Sequence, residues 1–242
     1  MAIIKDIGVV LREYDTGESN KRLVLLTENH GKITVFSKGA KRQGSKLTTN
    51  LFCCNEFIIF DGGSFLSLNQ TTCVHNFARI AEDFDGFCYA SGFLEIIEKM
   101  LLPGMEASVV LRLLLRAFAE LASGRSPDVV FAAYIFKFLQ IEGFAPIVEQ
   151  CTACGASING GYYFFKEGVL CGRCDVSYEK ICISDAVCKA MKYILNTDGK
   201  RVFAFETSKD VQKQLCSAAT LFLYENVDVE LKSISMLIGG NK

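Results

Sequence analysis

Histidine is scarce in this sequence, and the common short motifs of catalysis are missing. His30 and His75 are the only two histidines, so acid–base chemistry based on imidazole has few candidates. No phosphate-binding loop of the Gly-x-x-x-x-Gly-Lys-Ser/Thr type occurs, and neither does His-Glu-x-x-His or Gly-x-Ser-x-Gly. These absences favour a binding protein over an enzyme.

Excess charge of one sign and long apolar segments are lacking as well. The formal net charge is −1, so any attraction to nucleic acid or to a membrane must come from a local basic patch. The most apolar stretch, Leu111–Ala122, is interrupted by two arginines and a glutamate, and no transmembrane helix is expected. The first apolar run contains Lys5 and Asp6, which is unlike a signal peptide. We therefore expect a cytoplasmic protein.

Short runs rich in Val, Ile, Leu and Phe alternate with compact turns between residues 3 and 74. Glu28–Gly31 and Asp61–Gly63 are the turns of two predicted hairpins. Five antiparallel strands fit either a small barrel or a sandwich, and five is the strand count of the OB-fold barrel. The expected strands are Ile7–Tyr14, Arg22–Thr27, Ile33–Ser37, Phe57–Phe60 and Phe65–Asn69.

A basic segment follows the third predicted strand directly. Residues 38–46 read KGAKRQGSK and contain four cations, two glycines and no acid. Such a loop at the rim of a barrel can follow a phosphate backbone, because cations pair with phosphates and glycines let N–H groups approach phosphate oxygens. A solvated loop whose charge only aids solubility is the alternative, and composition alone favours it. The candidate DNA-binding residues are Lys38, Lys41, Arg42 and Lys46, with Lys32 in the preceding hairpin.

Three aromatic residues of the same region are candidate stacking platforms for bases. Tyr14, Phe36 and Phe65 lie in the first, third and fifth predicted strands. Alternating aromatic residues are also what a barrel interior requires, so a core position is the favoured expectation for each of them.

Beyond residue 76 the periodicity of the apolar residues becomes helical. Pro103–Gly104 ends the first helix, and Ser126 followed by Pro127 predicts a helix start with the serine as N-cap. Helices this apolar pack on each other in a bundle. The expected helices are Tyr89–Leu102, Glu106–Ala122, Pro127 to about Glu142, Asp185–Leu195 and Ser208–Glu225.

Two Cys-x-x-Cys pairs, with sixteen residues between them, interrupt the helical region. Four thiolates at this spacing can surround one tetrahedral zinc ion, so a structural zinc site is predicted. Cysteines that merely pack, or a redox dithiol, are the weaker alternatives. A closed set of four sulfurs leaves no position for water, which argues against zinc hydrolysis. The predicted ligands are Cys151, Cys154, Cys171 and Cys174, and the other seven of the 11 cysteines are expected to be mostly core residues in a reducing compartment.

The order of these parts resembles the bacterial recombinational repair family RecO. The resemblance rests on a small β-barrel followed by GAKRQGSK, then FLEIIEKML, then FLQIEGFAPIVEQCTACG with CGRC, and a C-terminal ELKSISML. It covers nearly the whole chain. By this resemblance we expect an α+β protein in which residues 1–76 form an OB-fold DNA-binding domain. Residues 77–242 would form a helical domain with an inserted zinc-binding segment at 148–178.

The resemblance also implies a function. Family members are not enzymes: they bind single- and double-stranded DNA, anneal complementary strands, and act with RecR to help RecA load onto DNA coated by single-strand-binding protein. Some members bind the tail of that protein. Lys38, Lys41, Arg42 and Lys46 match the basic DNA-binding loop of the family, and the four cysteines match its zinc ligands. The expected protein is therefore a cytoplasmic, nucleoid-associated recombination mediator with one structural Zn2+.

An alternative function belongs to a different class. In it the chain is a zinc-stabilised scaffold that works mainly through protein contacts, and DNA binding is incidental. The near-zero net charge and the very apolar central helices support this alternative.

Overall fold

The computed structural model describes residues 2–41, 47, 49–158, 162–228 and 231–239. The chain divides into two compact units. We call Met1–Ser123 with Glu230–Lys242 the barrel unit, and Gly124–Val229 the cysteine unit. The predicted division of the sequence after residue 76 stays a prediction.

The described part of the barrel unit contains a closed five-stranded barrel in the order β1-β2-β3-β5-β4. Neighbouring strands are antiparallel, except that β3 and β5 run parallel. This closure is that of an OB-fold, which confirms the predicted fold class and excludes the sandwich. The strands are β1 (Ala2–Thr16), β2 (Asn20–Thr27), β3 (Gly31–Ser37), β4 (Cys53–Asp61) and β5 (Leu66–Asn76).

The long first strand closes the barrel because it pairs with two neighbours. Its first half pairs with β4, its second half pairs with β2, and Gly8 and Val9 pair with both. A Cβ atom on Gly8 would lie 2.1 Å from the carbonyl oxygen of Leu26, so only glycine fits where the backbones approach. A register shift between Val10 and Arg12 adds the local twist typical of a β-bulge.

Strand β2 is buried on both of its faces. Leu23 and Leu25 point into the barrel core, and Val24 and Leu26 are buried although they point the other way. Helices of the same unit contact the outside of the barrel at β1 and β2. This double burial explains why Leu23–Leu26 is continuously apolar instead of alternating.

Five of the six described α-helices confirm the helices predicted from periodicity. The first begins at Phe84, earlier than predicted, because Asp83 accepts a 2.8 Å hydrogen bond from the N–H of Gly86 as N-cap. The Ser126 side chain makes no cap bond, contrary to expectation, and instead donates to Gln212. The helices are α1 (Phe84–Met100), α2 (Ser108–Ala122), α3 (Pro127–Ile141), α4 (Asp185–Asn196), α5 (Lys209–Asn226) and α6 (Lys232–Gly239). None of them combines the length and the apolar character needed to cross a lipid bilayer.

Helix α6 was not predicted, and it packs on α1 within the barrel unit. Ser233 donates a 2.9 Å hydrogen bond from its hydroxyl to Glu95 of α1. A Cβ atom on Gly92 would lie 2.6 Å from Ile234, so the glycine makes room for this side chain. The barrel unit is therefore built from two segments that are far apart in sequence.

A buried carboxylate fixes the turn between β2 and β3. Asp6 accepts hydrogen bonds from the backbone N–H of Ile7, the backbone and side-chain N–H groups of Asn29, and Nδ1 of His30 at 2.6 Å. Burial opposes ionisation of Asp6, but the bonds from His30, Asn29 and Ile7 outweigh it and lower the pKa. The charged form of Asp6 therefore stabilises the folded barrel.

We expect Asp6→Asn to lower the free energy of unfolding at pH 7 by about 1–3 kcal/mol, because amide nitrogen replaces a carboxylate oxygen that accepts hydrogen bonds. The pKa of Asp6 is lower in the folded chain than its ordinary value, so its stabilisation is full above about pH 4 and disappears as the pH falls through the folded value. Urea unfolding at several pH values checks this.

The difference in stability between wild type and Asp6→Asn should therefore shrink from pH 7 towards pH 3. Glu18→Gln removes the same charge at an exposed turn of the same barrel and serves as the control. A difference that stays constant over this pH range would contradict the role assigned to the carboxylate.

Candidate metal centre and nucleic-acid interface

The four predicted metal ligands are held by a small sheet of the cysteine unit. Strands β6 (Tyr162–Phe165) and β7 (Gly168–Cys171) form a hairpin, and a third strand, β8 (Ile181–Ile183), pairs with β6. Backbone hydrogen bonds tie the first Cys pair to the second. Val169 donates to the carbonyl of Ile147 at 2.9 Å, and Thr152 donates to that of Val169 at 3.0 Å.

The four sulfurs form one compact cluster. The Sγ atoms of Cys151, Cys154, Cys171 and Cys174 all lie within 4.8 Å of one another. The Sγ atoms of Cys154 and Cys171 are 3.9 Å apart, close to the separation of about 3.8 Å expected for a tetrahedral zinc with bonds of about 2.3 Å. Gly155, at φ +68°, closes the first turn by donating to the carbonyl of Cys151 at 2.8 Å. This donor set could hold a metal ion.

The electrostatics of the cluster favour a cation at its centre. Burial opposes ionisation of Cys151, but the backbone N–H groups of Cys171 and Cys154 help lower its pKa to about 6. The backbone N–H of Arg173 lowers the pKa of Cys171. The neighbouring sulfurs of Cys154 and Cys171 raise the pKa of Cys174 to about 12. Four thiolates this close repel one another, so a bound dication would stabilise them together.

An apolar cluster surrounds the sulfurs. Cys151 and Cys171 pack with Phe165 and Leu170, and the Tyr178 ring stacks on Phe165 with its centre 6.3 Å away. A three-stranded sheet of this size has little core of its own. A metal ion that joined the four sulfurs would therefore stabilise the fold of this segment.

The start of the basic loop lies at one end of the barrel. The N–H of Gly39 donates to the side chain of Asn20 at 2.9 Å, and the N–H of Lys41 donates to the carbonyl of Ser19 at 3.1 Å. The Lys41 ammonium lies 2.9 Å from the carboxylate of Asp15. These contacts hold the first part of the loop against the β1–β2 turn. Two further predicted DNA-binding residues, Arg42 and Lys46, lie outside the described residues.

Lys32 lies at the opposite end of β3 from Lys38. Six residues of extended strand separate them by about 20 Å. The Lys32 ammonium donates a 2.7 Å hydrogen bond to the carbonyl oxygen of Glu98 in the last turn of α1, where a cation stabilises the helix dipole. The structure therefore brings Lys38 and Lys41 to one rim of the barrel and places Lys32 apart from them.

The expected core position is wrong for two of the three aromatic residues. Phe36 is 38% exposed and Phe65 is 45% exposed. Because side chains alternate along β3, the buried Val35 points into the barrel and Phe36 points out. Tyr14 is half-buried, and the guanidinium groups of Arg12 and Arg22 lie 5.0 and 4.5 Å from the centre of its ring. Strict alternation along β3 was the sequence signal that could have identified the outward position of Phe36.

Comparison with known proteins gives the same family for both parts of the chain. Residues 1–77 match the family model described as "Recombination protein O N terminal", and residues 81–234 match "Recombination protein O C terminal". The chain is 30% identical to the DNA repair protein RecO of Acetivibrio thermocellus, over 94% of this chain and 93% of that protein. It is 28% identical to the proteins of the same name from Clostridium kluyveri (98% of this chain, 94% of that one) and Symbiobacterium thermophilum (98% and 97%).

Metal binding by the cysteine cluster can be tested with one exchanged sulfur. We expect the purified wild type to hold about one metal ion per chain. Cys171→Ser should lose that ion and lower the Tm by about 5 °C or more, because the free energy of metal binding adds to that of folding. Elemental analysis and thermal unfolding, each with and without a chelator, measure both effects.

Cys182→Ser is the matched control, because Cys182 is an exposed cysteine of β8 outside the cluster. It should leave the metal content and the Tm unchanged. Wild-type protein without metal, with all four clustered thiols open to a thiol reagent, would contradict the assignment.

Proposed function

The chain belongs to the RecO family of recombination and DNA repair proteins, and we propose that it is a mediator that binds DNA through its barrel and anneals complementary strands. In this proposal it binds single- and double-stranded DNA and acts with RecR to promote RecA loading onto strands coated by single-strand-binding protein. One observation carries the proposal. The basic loop begins at an anchored rim of the OB-fold barrel, beside an exposed surface that contains cations and aromatic rings.

The proposed binding is electrostatic. Lys38, Lys41, Arg42 and Lys46 would neutralise phosphates and release counterions, which favours binding without reading the bases. The backbone contacts of Gly39 and Lys41 fix where the loop leaves the barrel, so the path of the DNA would start at a defined point. Annealing follows from the same interaction, because neutralised strands repel each other less when they are held close together.

We propose that the metal of the cysteine cluster is a single structural Zn2+. Four cysteine sulfurs within 4.8 Å of one another are a typical donor set for zinc. Four protein ligands around one zinc ion would leave no open position for a water molecule. Cys151, Cys154, Cys171 and Cys174 would hold the ion, and its part would be to stabilise the small sheet. The proposed function contains no bond-making step.

The loop is tested by exchanging its four cations for Gln together. We expect this variant to bind single strands more weakly and to anneal more slowly. Each phosphate that the variant no longer neutralises should reduce the slope of log affinity against log salt by about 0.7. Fluorescence anisotropy with a labelled oligonucleotide over a range of salt concentrations measures the slope, and a strand-annealing assay measures the rate.

A matched control removes the same charges from the cysteine unit. Lys200, Arg201, Lys209 and Lys213 are also three lysines and one arginine, and all four are exposed. Their exchange for Gln should change the slope much less. If the loop variant is folded and its affinity for single strands and its salt slope are unchanged, the loop does not have the proposed role.

Lys32 needs a separate test because of its separate position. Lys32 remains one of the proposed DNA-binding residues. Lys32→Gln alone should therefore reduce the slope of log affinity against log salt by about 0.7, the contribution of one phosphate. An unchanged slope would confine the DNA path to the loop end of the barrel.

A scaffold that works mainly through protein contacts is the second candidate. Its support is a set of exposed apolar side chains around the connection between α1 and α2, namely Leu102, Met105 and Val109. The same experiment separates the two functions. Unimpaired annealing and unchanged capture of RecR by the loop-neutralised variant would favour the scaffold.

A further inference from the structure

We infer that the outer face of the barrel carries a base-stacking site for single-stranded DNA, separate from the phosphate-binding loop. We call it the aromatic row, and it consists of Tyr14, Arg22, Phe36 and Phe65. The inference rests on the proposed DNA binding by the barrel. It adds a second ligand group, the flat faces of unpaired bases, to the phosphates that the loop would bind.

The strand register places the row side by side on one face. Tyr14 of β1 lies opposite Arg22 of β2, and Arg22 lies opposite Phe36 of β3. Directly opposed residues of neighbouring strands are in contact distance on the same face of a sheet. The ring of Phe65, just before β5, meets that of Phe36 edge-on, with 6.3 Å between the ring centres. The row thus crosses from β1 to the start of β5.

Part of each ring of Phe36 and Phe65 is open to a ligand. Phe57 of the same barrel is fully buried, whereas Phe36 and Phe65 leave a large part of each ring in water. An apolar ring in water is unfavourable unless a partner covers it. Exposed aromatic side chains on an OB-fold are suited to stacking against bases, because every base presents a flat π-face.

Cations lie between and beside the rings. The Arg22 guanidinium lies 4.5 Å from the centre of the Tyr14 ring, and the Lys38 ammonium lies 5.8 Å from that of Phe65. Glu98 accepts from the Tyr14 hydroxyl and from Arg12, which orients this end of the row. A strand whose bases stacked on Phe36 and Phe65 would keep its phosphates near Arg22 and Lys38.

This chemistry selects single strands over duplexes and over apolar protein surfaces. In a duplex the base faces are stacked on each other, and only base edges are offered in the grooves. The loop cations would attract either form of DNA, but the rings can stack only on unpaired bases. Positive charge beside exposed rings fits a ligand that combines anionic and flat aromatic groups.

The test replaces the rings while it keeps the surface apolar. We expect Phe36→Leu/Phe65→Leu to weaken binding of a single-stranded oligonucleotide by roughly tenfold or more, and to change binding of a duplex of equal length by less than about twofold. The salt slope should stay the same, because every cation of the surface is kept. Phe84→Leu is the matched control, since Phe84 is a 65% exposed aromatic residue of the same unit outside the barrel.

A fluorescent reporter gives an independent readout of stacking. The chain contains no tryptophan, so Phe65→Trp provides a single indole in the row. We expect single-stranded DNA to quench its emission, and the duplex to leave it nearly unchanged. Emission unaffected by single strands at saturating concentration would overturn the inference.

The outcomes separate this inference from the proposed function. If loop neutralisation weakens binding and the double Leu variant binds both forms of DNA like the wild type, the stacking site is refuted and DNA binding by the loop stands. If neither variant changes the affinity, both the stacking site and DNA binding by the loop are refuted. An equal decrease of single-strand and duplex binding in the double Leu variant would also refute base stacking. Normal DNA binding together with failure to capture a protein partner would assign the row to protein contact instead.

Discussion

The double pairing of β1 is the constraint on which the rest of the barrel unit depends. One strand forms backbone hydrogen bonds with both β2 and β4, and at Gly8 the backbones approach too closely for any side chain. Closure removes the free strand edges and fixes the register of every strand. Because a shift by one residue would exchange the two faces of a strand, this register also decides that Val35 is buried and Phe36 is exposed.

Two different physical means position the two candidate sites. On the barrel, the pairing of neighbouring strands aligns cations and rings on a surface. In the cysteine unit, turns and N–H donors gather four sulfurs that, as thiolates, would repel one another unless a cation joined them. The most conspicuous motif of the sequence is therefore a cysteine cluster that could hold a metal ion in a small sheet. The surface proposed to bind DNA has the weaker sequence signal.

Local signals allowed most elements and the cysteine cluster to be predicted from the sequence. The cysteine spacing, the hairpin turns and the helical periodicity each depend on residues that are near in the chain, and the structure confirms them. The outward positions of Phe36 and Phe65 were missed, because an aromatic residue in a strand is compatible with either face until the register is known. The apolar run of β2 is visible in the sequence, but the helices that cover its outer face lie far away in the chain. Helix α6 depends on a contact with the distant Gly92, which leaves no local pattern.

Helix α6 brings the end of the chain back to α1, and this order of segments has a consequence for synthesis on the ribosome. The barrel unit is interrupted by the whole cysteine unit, so the ribosome must finish Gly124–Val229 before α6 can emerge. Roughly 100 residues take on the order of 5–20 s to translate. During that interval Gly92 and the Glu95 carboxylate of α1 lack the contacts they make with Ile234 and Ser233. The four clustered cysteines thus emerge from the ribosome, where a metal ion can bind them, before the barrel unit is complete.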